Sequence, residues 1–352
     1  MGDDIFEQLA DALDRLPNGF TRTDSGVEIK ILKKIFSEQE ARLAASLSHR
    51  MESVDDIAAR IGVTAEEVGK LLFQLVRRGL VWMSRDEGKV QFRLAPFIVG
   101  IYESSLDLMD DELARLSEDY LAEGGAVGIM QPQPALHRVV PTQDSVKAEW
   151  ILPYDDVRAL FLSAKSFGVR KCICRVQQDA LGTRKCDFPV AICLNFSKLE
   201  RAPREGDISK EEAFALLDES EKVGLVHTVA NVVDGVGYVC NCCGCCCGIL
   251  RGVTEWGVDH AVAYANYFAS IDPQVCSACG TCIERCQVHA VFEGDGFSVV
   301  DRQKCIGCGL CVTGCTTGAA TLQRRPEAEI IHPPADFATW EQERLRNRGL
   351  SD

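Results

Sequence analysis

The amino-acid sequence predicts an α+β protein with a helical N-terminal part that ends in a hairpin, a central cysteine-rich α/β region and a C-terminal part with a repeated cysteine motif. Three observations support this prediction. Helix-capping signals and two alternating strands lie within residues 27–97, all 18 cysteines lie between Cys172 and Cys315, and one four-cysteine spacing occurs twice within residues 276–315. The chain has 352 residues, which is enough for two or three domains.

The first 97 residues show a sequence of helices followed by a hairpin. An amphipathic helix is predicted within residues 1–26, and two later helices begin with capping boxes, in which a hydroxyl side chain precedes a glutamate by three residues. The predicted elements that follow are a helix after Ser37 with Glu40, a helix from Ser53 to Ile61, a helix after Thr64 with Glu67, and strands over residues 80–83 and 89–94. Helix, helix, turn, helix and hairpin in this order resemble a winged helix-turn-helix.

The resemblance implies a third helix that could enter the major groove of DNA, but the charges argue against this function. Glu66 and Glu67 stand near the start of this helix, where they would face phosphates. Residues 50–93 hold eight Lys and Arg against seven Asp and Glu, a net charge of +1. This region therefore favours a protein-docking or structural role over DNA binding.

Residues 98–167 are predicted to be a helical connector. It contains an acidic helix from Ser104 to Tyr120, a linker or extended arm over residues 131–142, and a helix from Asp155 to Phe167.

Residues 168–267 form the central cysteine-rich region. Cys172, Cys174, Cys186 and Cys193 have the spacing C-x-C-x11-C-x6-C, which suits one iron–sulfur cluster or a zinc site. Basic residues crowd these thiols and favour the thiolate form that a metal needs, namely Arg170, Lys171, Arg175, Arg184 and Lys185.

The segment Cys240–Cys247 has six cysteines in eight residues. Adjacent cysteines cannot all reach one cubane cluster, so some must be spare, serve another centre or act as thiols. The first four cysteines could share their cluster with this segment. The candidate metal ligands are Cys172, Cys174, Cys186, Cys193, Cys240, Cys242, Cys243, Cys245, Cys246 and Cys247, which suffice for one or two further clusters, or zinc. This pattern resembles modules of multi-cluster iron–sulfur oxidoreductase subunits.

A helix is predicted from Ser209 to Val223, with a capping box formed by Ser209 and Glu212. The three histidines near the cysteines are interpreted as hydrogen-bonded core residues rather than ligands, namely His227, His260 and His289.

Residues 268–324 contain the spacing C-x2-C-x2-C-x3-C twice. The first quartet is Cys276, Cys279, Cys282 and Cys286, and the second is Cys305, Cys308, Cys311 and Cys315. This stretch resembles the bacterial-type ferredoxin domain with two 4Fe–4S clusters. The resemblance implies that the fourth cysteine of each quartet binds the cluster of the other half. One cluster would be held by Cys276, Cys279, Cys282 and Cys315, and the other by Cys305, Cys308, Cys311 and Cys286.

The chain departs from the ferredoxin pattern at two positions. That family usually has proline directly after each fourth cysteine, whereas this chain has Gln287 and Thr316. The substitution leaves the ligands in place and bears on the rigidity and the reduction potential of each cluster.

Residues 325–352 are predicted to form a tail with a short helix anchored by Trp340 and Leu345.

Composition and charge indicate the setting. No apolar run reaches the length of a membrane span and no signal peptide is visible, so we expect a cytoplasmic protein. Cysteines in ligand-type motifs indicate a reducing, anaerobic cytosol. The net charge of −14 argues against a nucleic-acid partner and suits a redox partner protein with a basic patch.

The sequence thus predicts an iron–sulfur protein that relays single electrons through two ferredoxin-type 4Fe–4S clusters and a further cysteine-rich centre. The partner oxidoreductase would carry out the substrate chemistry, and this chain would be its electron-transfer subunit. Two alternatives stay open at this point. One is a redox enzyme with a catalytic cluster or dithiol in Cys240–Cys247, and the other is a redox-sensing DNA-binding regulator.

Overall fold

The structure is a computed structural model that describes residues 4–86 and 88–350. Helices account for 42% of the residues and strands for 17%, so the chain is mixed α and β, as predicted. The chain forms two compact units. Unit 1 comprises Met1–Gln133, Val176–Thr183 and Glu341–Asp352, and unit 2 comprises Pro134–Arg175 and Arg184–Trp340. Every cysteine belongs to unit 2. The five-segment division stays a prediction.

Unit 1 contains a series of helices and one small antiparallel sheet. The helices are α1 (Ile5–Asp14), α2 (Val27–Ile35), α3 (Glu38–Ala45), α4 (Val54–Ile61), α5 (Ala65–Arg77), α6 (Tyr102–Ser104), α7 (Asp111–Tyr120) and α8 (Ala126–Met130). The strands are β1 (Glu52–Ser53), β2 (Val81–Asp86) and β3 (Lys89–Leu94), in the order β1-β3-β2. The structure confirms both predicted capping boxes, at α3 and at α5.

The predicted acidic helix of the connector is wrong at its start. The helix α7 begins at Asp111 rather than Ser104, because the Asp110 side chain accepts a hydrogen bond from the Leu113 N–H and caps the helix there.

Unit 2 is built on a larger sheet. Its strands are β4 (His137–Val140), β5 (Ser166–Lys171), β6 (Ala191–Ser197), β7 (Asp207–Ile208), β8 (Val226–Ala230), β9 (Tyr238–Cys242), β10 (Val262–Ala263), β11 (Tyr267–Ile271), β12 (Val291–Glu293), β13 (Ser298–Val300) and β14 (Ala320–Arg324). The helices are α9 (Val157–Leu162), α11 (Lys210–Val223), α12 (Gly248–Thr254), α13 (Thr281–Glu284) and α14 (Leu310–Thr313). Two further helices, α10 (Ile173–Ala180) and α15 (Phe337–Asn347), have residues in both units.

Seven strands form one sheet in the order β10-β4-β8-β9-β6-β5-β7. The pair β10 and β4 is parallel and the other pairs are antiparallel. Phe161 of α9 packs on one face against the rings of Phe167 and Phe196, at 5.3 and 5.1 Å between ring centroids. Of the two remaining pairs of unit 2, β11 and β14 flank the C-terminal cysteine motif in the chain, and β12 and β13 lie between its two quartets.

Two further predictions for the connector are wrong. The helix predicted from Asp155 to Phe167 ends at Leu162, because residues 166–171 pair with β6 and the sheet overrides the local helical pattern. The predicted linker over residues 131–142 contains the buried strand β4.

The capping box of α11 is confirmed, and Trp340 and Leu345 are buried as predicted.

In the part of the chain that the structure describes, no helix is both long enough and apolar enough to cross a membrane.

Arg344, which the sequence did not distinguish, is buried and connects three segments of unit 1 through hydrogen bonds. Arg344 is 0% exposed, and its guanidinium donates hydrogen bonds to the backbone carbonyls of Pro17, Ile129 and Pro132, at 3.0, 2.7 and 2.6 Å. Burial lowers the pKa of Arg344 to about 9. A buried cation is stable only when its donors are paired, so these three carbonyls fix the C-terminal helix of the chain to unit 1.

We expect Arg344→Met to lower the free energy of unfolding by about 3 kcal/mol, because the substitution leaves three buried carbonyls without a donor. Urea denaturation followed by circular dichroism measures the change. Arg346→Met is the matched control, because Arg346 lies on the exposed side of the same helix. Equal denaturation midpoints for Arg344→Met and the wild type would contradict this account.

Candidate metal centres

Each half of the C-terminal cysteine motif folds as a loop, a one-turn helix and a fourth cysteine beyond that helix. The helix α13 follows Gly280 and the helix α14 follows Gly309, and both glycines have a φ of 79°. This left-handed conformation favours glycine, and a Cβ at Gly309 would also lie 2.0 Å from the Ser145 hydroxyl oxygen. The repeated spacing therefore produces the same local geometry twice.

Backbone N–H groups point at the sulfur atoms of this motif. The N–H groups of Ala278, Ala290, Ala269 and Ala320 donate to the Sγ atoms of Cys276, Cys286, Cys305 and Cys315, at 3.4, 3.1, 3.3 and 3.4 Å. Such donors stabilise negative charge on a thiolate and tune the potential of a cluster that the sulfur binds. The residues of this motif therefore fit an iron–sulfur cofactor.

The Cys286 thiol lies close enough to the second quartet to affect three of its thiols. Burial raises the pKa values of Cys305, Cys308 and Cys311, and repulsion from the charge of Cys286 raises each of them further. The pKa of Cys311 reaches about 12. Buried thiols that repel one another become thiolates only beside a positive charge, which iron provides.

Two thiols of the motif are already shifted toward the thiolate form. Hydrogen bonds from the hydroxyl and backbone N–H of Thr281 lower the pKa of Cys279. Burial alone would raise the pKa of Cys315, but hydrogen bonds from the Ala320 N–H and from Thr317 outweigh it and lower this pKa. The thiolate is the form that binds iron.

The ten upstream cysteines form two separate groups. We call the first the six-thiol ring, because each of its thiols shifts the pKa of two others and these pairwise interactions close on themselves. In order around the ring, its members are Cys172, Cys174, Cys247, Cys242, Cys240 and Cys193. This arrangement brings together three of the first four cysteines and three of the Cys240–Cys247 segment.

The sheet register explains the ring. Leu194 of β6 pairs with Val239 of β9, which places Cys193 opposite Cys240. Side chains two apart on a strand share a face, so Cys242 lies on the same side as Cys240. The Thr228 hydroxyl lies 3.6 Å from the Cys242 sulfur.

The second group, which we call the four-thiol site, consists of Cys186, Cys243, Cys245 and Cys246. Its four Sγ atoms all lie within 4.8 Å of one another, and within residues 4–86 and 88–350 it is the one set of three or more His, Cys, Asp or Glu ligand atoms this close together. The Sγ distances are 3.9 Å for Cys186–Cys243, 3.8 Å for Cys186–Cys246 and 3.6 Å for Cys245–Cys246. The structure thus separates Cys186 from Cys172, Cys174 and Cys193.

Arg175 lies between the two groups. Its side chain is 0% exposed, and it donates to the carbonyls of Pro189 and Asn241 at 2.8 and 3.0 Å. Burial opposes its charge, yet attraction to the Cys243 and Cys172 thiolates dominates and raises the pKa of Arg175. A permanent cation here offsets the negative charge of the thiolates on both sides.

Residues that flank Cys286 connect the C-terminal motif to the upstream cysteines. The Gln287 side chain accepts a hydrogen bond from the Gly244 N–H and donates one to the Gly224 carbonyl, both at 2.8 Å. Arg285 donates to the carbonyls of Glu221 and Lys222 at the end of α11. No sequence signal distinguished Arg285, whereas Gln287 stood out because the ferredoxin pattern has proline there.

The histidine predictions have mixed outcomes. His227 is buried and hydrogen-bonds Asn241 through Nδ1 and Glu221 through Nε2, so its assignment as a core residue is confirmed. The same interpretation is wrong for His260 and His289, which are exposed because both lie in loops outside the sheet core.

Comparison with known families supports one part of this picture. A family model described as a 4Fe-4S binding domain matches residues 297–320, which contain Cys305, Cys308, Cys311 and Cys315. No curated protein matches the chain significantly. Together with the clustered upstream thiols, this match indicates an iron–sulfur protein.

We expect Gly244→Ala to disrupt the Cys240–Cys247 segment, because the new Cβ would lie 2.0 Å from the Gln287 backbone oxygen. Such a clash costs about 3 kcal/mol and displaces the thiols on either side. Metal content and thermal unfolding after oxygen-free purification measure the effect. Gly237→Ala is the control, since its Cβ would meet the nearest atom, the Phe196 oxygen, at 3.5 Å. Wild-type metal content in Gly244→Ala would contradict the expected displacement.

Proposed function

We propose that this chain is an iron–sulfur electron-transfer protein that passes single electrons between two ferredoxin-type 4Fe–4S clusters and an additional centre in the six-thiol ring. One observation carries the proposal. The residue after Cys286, Gln287, is hydrogen-bonded to Gly244 within the upstream cysteine segment. Cys286, a proposed cluster ligand, is therefore adjacent in the chain to a residue that hydrogen-bonds the upstream cysteine segment.

The proposed ligands of the two ferredoxin-type clusters follow the crossed pattern. One cluster is held by Cys276, Cys279, Cys282 and Cys315, and the other by Cys305, Cys308, Cys311 and Cys286. The effect of Cys286 on the pKa values of the second quartet supports the second set. When bound, the clusters supply reversible one-electron redox chemistry. The protein contributes N–H donors to sulfur and a buried setting for the second quartet.

The six-thiol ring is the proposed ligand set for a further cluster. Its thiols interact in sequence around the ring, but no three of them within the described residues lie as close together as those of the four-thiol site. An open ring suits a core with several irons better than a single ion. Cys242 and Cys247 are buried, which argues against a catalytic dithiol, because reactive cysteines are partly exposed.

The proposed partner is a redox protein rather than DNA. We propose that α3, α4, α5 and the sheet β1-β3-β2 form a winged helix-turn-helix used for protein docking. Lys70, a basic residue on the exposed side of α5, forms an ion pair with Glu66 on the same helix. This pairing and the net charge of −14 disfavour binding to phosphates and favour a partner with a basic surface.

The iron content tests the number of clusters. Three cubane clusters at four irons each predict about 12 iron atoms per chain after oxygen-free purification and reconstitution. Iron analysis together with electron paramagnetic resonance of the reduced protein measures this. A value of about eight would confine the clusters to the C-terminal motif, and an iron-free protein would refute the proposed function.

We expect Cys286→Ser to alter the cluster that Cys286 is proposed to hold together with Cys305, Cys308 and Cys311. The resonance signal of that cluster should be lost or shifted, while the signal of the other ferredoxin-type cluster stays. Cys279→Ser is the matched variant, because it should affect the other cluster and leave the first signal intact. If Cys286→Ser and Cys279→Ser remove the same signal, the crossed ligand assignment is wrong.

A further inference from the structure

The four-thiol site has the dimensions of a mononuclear metal centre. Around one tetrahedral zinc ion, a Zn–S distance of about 2.3 Å places the sulfurs about 3.8 Å apart. Three of the six Sγ separations, 3.9, 3.8 and 3.6 Å, agree with this value, and all six are at most 4.8 Å. In a cubane each thiolate binds a different iron, which spreads the four sulfurs farther apart. The sulfur separation therefore distinguishes a single ion from a cluster.

The composition and burial of the site narrow the choice of ion. Four sulfur ligands in tetrahedral arrangement select zinc or iron. Cys243 and Cys246 are 1% and 2% exposed, and they pack with Ile192 and Leu225 in one hydrophobic cluster. With four protein ligands the coordination is complete, as in structural zinc sites, and no position stays open for a substrate.

A buried positive charge lies beside the four-thiol site, as a site with four thiolates requires. Four thiolates and one divalent ion carry a net charge of −2, which is costly to bury without a cation nearby. Arg175 is fully buried, its charge interacts with Cys243, and its Nε has no hydrogen-bond partner among the described residues. Arg175 therefore offsets part of the negative charge.

We propose that Cys186, Cys243, Cys245 and Cys246 hold one zinc ion, in a structural site that is separate from the iron–sulfur clusters. The ion closes a loop between cysteines that are 57 and 60 residues apart in the chain. It thereby fixes the segment that presents Gly244 to Gln287 and Cys242 and Cys247 to the six-thiol ring. Zinc has no redox chemistry, so this site positions the other thiols and carries no electrons.

Metal analysis of the full chain tests the proposal. Protein reconstituted with iron, sulfide and zinc should contain about one zinc per chain. Cys245→Ser should lose this zinc and keep the resonance signals of the ferredoxin-type clusters, which also report that the variant is folded. Cys172→Ser is the matched control, because it changes a thiol of the six-thiol ring and should keep its zinc.

A second measurement does not depend on any variant. Zinc X-ray absorption of the wild-type chain should give four sulfur neighbours at about 2.3 Å. Wild-type protein without zinc, or a single iron or an iron–sulfur cluster that is lost in Cys245→Ser, would overturn the proposal. Loss of zinc from Cys172→Ser with zinc retained in Cys245→Ser would also overturn it. None of these results depends on whether the C-terminal motif holds two clusters.

Discussion

Neighbouring side chains of an extended backbone point to opposite sides, and this constraint organises the cysteine-rich unit. In β9 it places Cys240 and Cys242 on one face of the sheet, together with Cys193 of the adjacent strand. The strand ends at Cys242, and the turn that follows places Cys243, Cys245 and Cys246 in the four-thiol site, while Cys247 returns to the ring. Six cysteines in eight residues therefore cannot serve one centre. They divide between the six-thiol ring and the four-thiol site, and each group is completed by cysteines from residues 172–193.

Grouping the thiols in this way brings negative charges close together once the thiols ionise, and surrounding residues reduce the resulting repulsion. Neighbouring thiols repel one another once they ionise. Interactions with Cys240 and Cys247 lower the pKa of Cys242 to about 6, while interactions with Cys193 and Cys242, together with burial, raise that of Cys240. Arg175 interacts with one thiol of each group, Cys172 in the ring and Cys243 in the four-thiol site. A single buried guanidinium thus stabilises both groups, and metal ions would supply the rest of the positive charge.

Capping signals in the sequence predicted helices correctly. Strands that depend on partners far along the chain were not predicted from such local signals. The capping boxes at Ser37, Thr64 and Ser209 marked three helices correctly, because a cap is a contact between residues close in sequence. The strands β4 and β5 were missed, since their stability comes from partners far along the chain. The sequence likewise contained all candidate ligands but left their grouping open. The sheet register places Cys193 beside Cys240, whereas Cys186 lies in a loop after α10 and joins the four-thiol site only through the tertiary fold.

The departure from the ferredoxin pattern at Gln287 then has a physical explanation. A proline would fix the backbone after Cys286 but could neither accept a hydrogen bond from the Gly244 N–H nor donate one to the Gly224 carbonyl. Gly244 must lack a side chain because the Gln287 backbone oxygen occupies that space, so the two positions depend on each other. With Gln287 in place of proline, the backbone after Cys286 is less rigid, but the side chain contacts the upstream cysteine segment. A domain that acted alone would have no need of this contact, whereas the proposed electron transfer to a second cysteine centre requires a fixed distance between the two.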